Sequence, residues 1–157
     1  MQDFRNLVVW QHARRLTKSI YELTTSYPDS EEFGLKSQMR RAAVSVCTNI
    51  AEGCGPGGDA EFRRFLNVAL RSACELECEL ILSCDLAFIT EAAMNEFVAV
   101  VVEIKRMLSG LIAQMVVRQN RAPRRNDAND LLAQLKSLLD EREKKRLPER
   151  PSNERNL

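Results

Sequence analysis

One histidine, five cysteines and scattered carboxylates set the chemistry open to this 157-residue chain. His12 has no cysteine partner in a plausible order and belongs to no Ser-His-Asp set, so nucleophilic hydrolysis has no machinery here. A di-metal centre inside a helical bundle needs two Glu-x-x-His pairs, which one histidine cannot supply. The cysteines are the remaining candidate for zinc. Cys74 and Cys78 lie one helical turn apart, and Cys47 and Cys54 two turns apart. A helical hairpin turning near residues 55–58 would set residue 47 opposite about residue 67 and residue 74 opposite about residue 40. The two pairs then stand roughly 10 Å apart along the axis, against a zinc–sulfur bond of ~2.3 Å. The cysteines therefore read as buried free thiols acting as small hydrophobes, and His12 as a surface residue beside Trp10. The glycine-dense run Gly53-Cys-Gly-Pro-Gly-Gly58 follows no strand and precedes no Gly-Lys-Ser/Thr, so it is a turn and not a phosphate loop. No catalytic residue, metal or cofactor is expected.

The cations are more informative. Arg14, Arg15 and Lys18 share the outer side of the first helical segment, and Lys36, Arg63 and Arg64 lie outside the apolar seams of the next two. These six are the candidate phosphate-binding surface, because guanidinium groups grip phosphate through paired hydrogen bonds. Arg40, Arg41, Asn49 and Glu52 admit a second reading. The same hairpin register would bring Arg40 and Arg41 near Glu75 and Glu77, and Glu52 near Arg63. They would then be inter-helix ion pairs, with Asn49 a polar seam residue fixing alignment.

Five helical segments must position these side chains. The first spans about residues 7–27, with Val9, Ala13, Leu16, Ile20, Leu23 and Tyr27 in steps of four and three; Pro28 ends it. Asp29 or Ser30 is the expected cap of the second, which runs from Leu35 with Met39, Ala42, Val46 and Ile50 on one face. Gly53 and Gly55 are expected to stop it by turning left-handed. The third, about residues 59–88, carries Phe62, Leu66, Ala69, Ala73, Leu76, Leu80 and Ala87, and its length of roughly 45 Å suits a bundle. Thr90 caps the fourth, whose seam is Met94, Phe97, Val101, Ile104, Leu108, Leu111 and Met115. Val98 and Val102 widen that seam and point to a second buried contact. Beyond Pro123 a polar linker leads to a fifth amphipathic helix with Leu131, Leu132, Leu135, Leu138 and Leu139, then a tail poor in apolar residues.

The fold class is thus all-α: an antiparallel up-and-down four-helix bundle (1–121), a linker (122–126), an additional C-terminal amphipathic helix (127–146) and a disordered tail (147–157). An apolar fraction of 45% and a charged fraction of 29% are those of a globular chain, and the net charge of +1 leaves any basic surface local. No apolar run approaches the ~20 residues a membrane helix needs, so no membrane partner is expected. The first ten residues hold Asp3 and Arg5 and no continuous apolar core, and the thiols lack a secretory context; a cytoplasmic location follows.

The run Gly34-Leu35-x-Ser37-Gln38-x-Arg40-Arg41-Ala42-x-x-Ser45-Val46-x-x-Asn49-Ile50-Ala51-Glu52-Gly53 resembles the signature of a family of four-helix-bundle proteins. Its members are encoded in intervening sequences of bacterial 23S ribosomal RNA genes or serve as the accessory variability determinant of diversity-generating retroelements. The likeness continues in Val9-Trp10-x-x-Ala13, in Glu61-x-x-x-Phe65-Leu66-x-x-Ala69 and in Glu75-Leu76-Glu77, covering about residues 4–120. Arg40, Arg41, Ser45, Asn49, Glu52 and Glu75 are the matching motif positions. Cys47 stands where the family often has proline, and Arg71 where it often has glycine, at an expected close helix approach. The resemblance implies a homo-oligomer, a pentamer in the family, and for the retroelement members binding of RNA or DNA and association with a reverse transcriptase copying a template RNA. Two functions are therefore expected: a non-enzymatic nucleic-acid-binding accessory protein, or an interaction scaffold whose fifth helix docks a protein partner through its leucines.

Overall fold

Helical periodicity governs the described residues. The structure is a computed structural model, and it describes residues 3–121 and 125–146, with side chains at 3–118 and 129–142. After a short 3₁₀ turn, Phe4–Asn6, come α1 (Val8–Leu23), α2 (Leu35–Gly53), α3 (Gly58–Asp85), α4 (Glu91–Arg121) and α5 (Arg125–Arg146). Two further 3₁₀ turns, Thr24–Ser26 and Asp29–Glu31, bridge α1 to α2. The first helix therefore ends before Tyr27: its last turn tightens, and the Thr24 hydroxyl bonds back to the Ile20 carbonyl at 2.8 Å.

The chain divides into two units, Met1–Gln119 and Asn120–Leu157. In the first, Val9, Ala13, Leu16 and Ile20 of α1, Met39, Ala42, Val46 and Ile50 of α2, Phe62, Leu66, Ala69, Ala73, Leu76 and Leu80 of α3, and Val101, Ile104, Leu108 and Met115 of α4 close one core. Met94, Phe97, Leu111 and Val98 pack half-buried around it. α2 packs closely against α3, where small residues line both helices and the Ser45 and Ser72 hydroxyls bond at 2.8 Å. Antiparallel order follows from the contacts. Thr17 of α1 donates to the Ala43 carbonyl of α2 at 3.1 Å, and Ser83 of α3 to the Met39 sulfur at 3.3 Å. Glu77 of α3 pairs with Lys105 of α4, which raises the lysine's pKa.

Several local expectations change. The cap of α2 is Glu31, whose Oε2 accepts from the Leu35 amide at 2.8 Å; neither Asp29 nor Ser30 does this. Gly53 is helical and buried, and Cys54 after it is right-handed. Glycine is needed at 53 for close approach: a Cβ there would sit 2.7 Å from the Phe62 ring. The left-handed residue is Gly58, with φ +74°. At the far end of α3 the chain enters the left-handed region at Ala87, φ 57°, outside the core. The Phe88 amide then bonds to the Ser83 carbonyl and the Ala87 amide to that of Cys84, both at 2.9 Å, a Schellman closure. Thr90 caps α4, accepting from the Ala93 amide at 3.2 Å.

In the second unit α5 begins at Arg125, two residues before the expected 127. Its five leucines, at 131, 132, 135, 138 and 139, are 49–60% exposed within that unit. The expected linker residues 122–124 and tail 147–157 lie outside the described residues. No helix among the described residues is long and apolar enough to cross a membrane.

Candidate nucleic-acid interface

The outer face of α1 gathers cations around an aromatic pair. Because 14, 15 and 18 fall between the buried steps 13, 16 and 20, Arg14, Arg15 and Lys18 all project outward and are exposed. The 3₁₀ turn at Phe4–Asn6 folds back beside them, held by a 2.9 Å bond from the Gln11 side chain to the Arg5 carbonyl. It brings Phe4 edge-on to Trp10, with ring centroids 4.9 Å apart. Arg14 lies over Trp10, its guanidinium carbon 5.9 Å from the ring centroid, and Arg5 over Phe4 at 5.7 Å. Arg5, Trp10, Gln11, Arg14, Arg15 and Lys18 line an open depression of about 590 Å³ with no carboxylate in its wall. The carboxylates stand at its margins, Asp3 at 3.4 Å from Arg5 and Glu22 at 3.5 Å from Lys18. Among the described residues Arg14 and Arg15 make no ion pair. Exposed cations clustered beside a half-buried aromatic pair form a surface that a nucleic-acid backbone can engage.

The six predicted phosphate-binding residues do not form one surface. Arg63 and Arg64 lie on the first turns of α3, at the bundle end shared with the start of α1, where Gly53 meets Phe62. Arg64 is turned onto Phe65, 4.4 Å from its ring, and pairs with Glu61 at 3.6 Å. Lys36 belongs to the opposite end and pairs with Glu32, whose carboxyl it holds below the usual range through the hydrogen bond and its charge.

The motif residues of α2 also depart from the expected ion pairs. Arg40 reaches α1 instead of Glu75 or Glu77. Its Nε donates to the Thr24 hydroxyl at 2.8 Å, and its guanidinium stacks 4.8 Å over the Tyr21 ring. Arg41 donates to the Gln38 side chain at 2.6 Å. Glu75 is exposed, while Glu77 is taken by Lys105. Glu52 is exposed and makes no ion pair with Arg63 among the described residues. Asn49 is half-buried and donates to the Ser45 carbonyl at 2.8 Å and hydroxyl at 3.1 Å, so it braces the Ser45–Ser72 contact. Arg71 is exposed, away from the close approach, which Ser72 occupies.

One residue that matters has no place in the sequence reading. Glu79 is buried on the α3 seam, and its Oε2 has no hydrogen-bond partner. Burial, then repulsion from Glu75, pushes its pKa up to about 7, while Arg41 pulls it back. Its signal was present in the 72, 76, 79, 83 spacing, which is one helical face. His12 is half-buried beside α4, its Nδ1 3.7 Å from Glu103, and is not the surface residue expected. Among the cysteines, Cys54 is buried and Cys47 and Cys84 are half-buried, but Cys74 and Cys78 are exposed on α3, against expectation. Burial raises the pKa of Cys47 and Cys54. Among the described residues no three His, Cys, Asp or Glu side chains are grouped to hold a metal ion.

Residues 5–110 match the sequence profile of the family described as 23S rRNA-intervening sequence protein. The chain belongs to that family. Among solved structures it is similar to a protein of unknown function from the S23 ribosomal protein family of Bacteroides thetaiotaomicron. That likeness has 27% identity and a TM-score of 0.63, and covers 67% of this chain and 98% of the other. No curated protein matches the chain. The family match ends at residue 110, so α5 lies outside it.

Proposed function

We propose that this 23S rRNA-intervening sequence family member is a non-enzymatic nucleic-acid-binding accessory protein that holds phosphates on the outer face of α1. The observation that carries this reading is the carboxylate-free depression in which Arg5, Arg14, Arg15 and Lys18 surround Trp10. Electrostatic capture depends on local charge, so a total of +1 does not weaken it. The family description supports an RNA setting. In its finer form the reading is a cytoplasmic homo-oligomer, pentameric by resemblance, that assists a reverse transcriptase with its template RNA.

The test is a binding titration of the full chain against structured RNA and duplex DNA across a salt series. Binding should weaken steeply with salt, each phosphate contact contributing about 0.7–0.9 to the log–log slope. Arg14→Glu with Arg15→Glu should lower affinity at least about tenfold and flatten the slope by about two. Salt-independent binding, or none at low salt, overturns the reading.

The scaffold reading is favoured by one observation, the half-exposed leucines of α5. An amphipathic helix presents such residues to a partner's groove. Deleting 127–157 should abolish capture of that partner and leave nucleic-acid binding intact. Loss of RNA affinity in the deletion would assign α5 to the first reading instead.

A further inference from the structure

A second polar groove lies farther along the α1–α2 pair, toward the C-terminal end of α1. It is open, about 480 Å³ in volume, and is walled mainly by the outer face of α2 with Tyr21 of α1 as its far edge. Lys36, Ser37, Arg40, Arg41, Ser45 and Thr48 line it, and Glu32 is its only carboxylate. Lys36 neutralises Glu32 by direct pairing. Neither Arg40 nor Arg41 makes an ion pair among the described residues; Arg40 acts on Glu32, and Arg41 on the buried Glu79, only at longer range.

Both guanidiniums are held in place without being used up. The Nε–Thr24 bond and the Tyr21 ring fix Arg40, and a weaker contact of 3.4 Å joins its Nη2 to the Tyr21 carbonyl. Arg41 gives one Nη2 bond to Gln38. A guanidinium has five N–H donors, so each retains several for a ligand. Hydroxyls stand beside them, and that of Ser37 makes no hydrogen bond among the described residues. Two fixed forks with hydroxyl donors between them match a tetrahedral oxyanion better than a planar carboxylate. Two positive charges without a direct ion pair favour an anion of more than one charge.

We propose that this groove is a binding site for a phosphate monoester, with Arg40 and Arg41 as its forks and Ser37 as its hydroxyl donor. The ligand is a free mononucleotide or the phosphorylated end of a nucleic-acid strand; both present the same group. The site is separate from the α1 depression and does not depend on it.

The experiment uses the full chain and measures inorganic phosphate, a nucleoside monophosphate, and two RNA strands identical except for a terminal phosphate or a terminal hydroxyl. A glutamate-rich peptide serves as the carboxylate competitor. The phosphorylated strand should bind at least about tenfold tighter than its hydroxyl counterpart, a ratio that charge-assisted bonds supply. Arg41→Gln should erase the preference and leave binding of the hydroxyl strand unchanged. Its only hydrogen bond is to Gln38 at the surface, but its charge also reaches the buried Glu79, so the variant should melt with the parent at pH 5, where Glu79 is protonated in both, and circular dichroism checks this. If the α1 reading fails and neither strand binds, saturable binding of the monophosphate lost in Arg41→Gln still supports the site, with a free nucleotide as source. Equal affinity for the two strands together with no binding of either small phosphate overturns the proposal. So does a glutamate-rich peptide that competes as well as the monophosphate, which would make the groove a site for acidic protein segments.

Discussion

Two pairs of adjacent arginines sit on neighbouring helices and are built in opposite ways. Arg14 and Arg15 stand out from α1, exposed, with Trp10 under one of them and no ion pair among the described residues. Arg40 and Arg41 line a groove on α2, where one is bonded to Thr24 and stacked on Tyr21. The other lies within electrostatic reach of the buried Glu79. The sequence offers the same dipeptide twice. What differs is the reach to a neighbour: Arg40 and Arg41 act on groups of α1 and α3, whereas Arg14 and Arg15 make no hydrogen bond or ion pair to another helix among the described residues. A charge on α1 therefore acts chiefly on ligands, and a charge on α2 acts on ligands and on the fold.

The largest consequence concerns Glu79. Its folded pKa is raised from an ordinary 4.5 to about 7. The folded protein thus holds this proton more tightly than the unfolded chain. The stability this provides is complete below about 4.5, declines as pH rises, and is gone above about 7. Glu79→Gln cannot ionise, so relative to the parent it should gain on the order of 2 kcal/mol between pH 5 and pH 8. Urea unfolding of both proteins at the two pH values measures this. Comparing the two differences cancels any fixed cost of placing an amide at 79. Parallel behaviour at both pH values would break the comparison, because no buried charge would then lie behind the α2 face.

Arg40→Gln comes next. It removes the 2.8 Å bond to Thr24 and the stacking on Tyr21, while Thr24 keeps its own bond to the Ile20 carbonyl. The loss should be about 1–2 kcal/mol, read as a shift in urea midpoint at unchanged slope. A variant as stable as the parent would place Arg40 in the same class as Arg14.

The seams were legible because they depend only on helical period. Met39, Ala42, Val46 and Ile50 were read from spacing and are all buried. The α2–α3 register was not. A turn centred at 55–58 would place Ser45 opposite about residue 69. In fact Ser45 meets Ser72, because Cys54 and Gly57 keep right-handed, near-helical backbone and the chain reverses later, at Gly58. That offset still leaves Arg40 and Arg41 opposite about residues 77 and 76, so it is facing that removes the predicted pairs: Arg40 turns to Thr24 and Tyr21 on α1, and Glu77 turns to Lys105 on α4. On α1 the cations were legible because exposed positions follow from buried ones. Their aromatic support was not, since Phe4 meets Trp10 only when the 3₁₀ turn folds back, a tertiary event with no period. Glu79 was hidden for a different reason: an acidic residue on a seam breaks the binary pattern that identifies seams.

The smallest expected effect is the sharpest test of the contrast. Arg14→Glu with Arg15→Glu should leave stability within about 0.5 kcal/mol of the parent, as surface changes without a bonded partner do. The cation–aromatic contact of Arg14 with Trp10, at 5.9 Å, is at the weak and exposed end of such interactions, and Arg15 has no bonded partner to lose. Thermal unfolding followed by circular dichroism at moderate salt measures this, because screening removes the long-range charge term. A clear destabilisation would mean that the α1 cations are also tied into the bundle, and the division between a face for ligands and a face for fold and ligand together would fail.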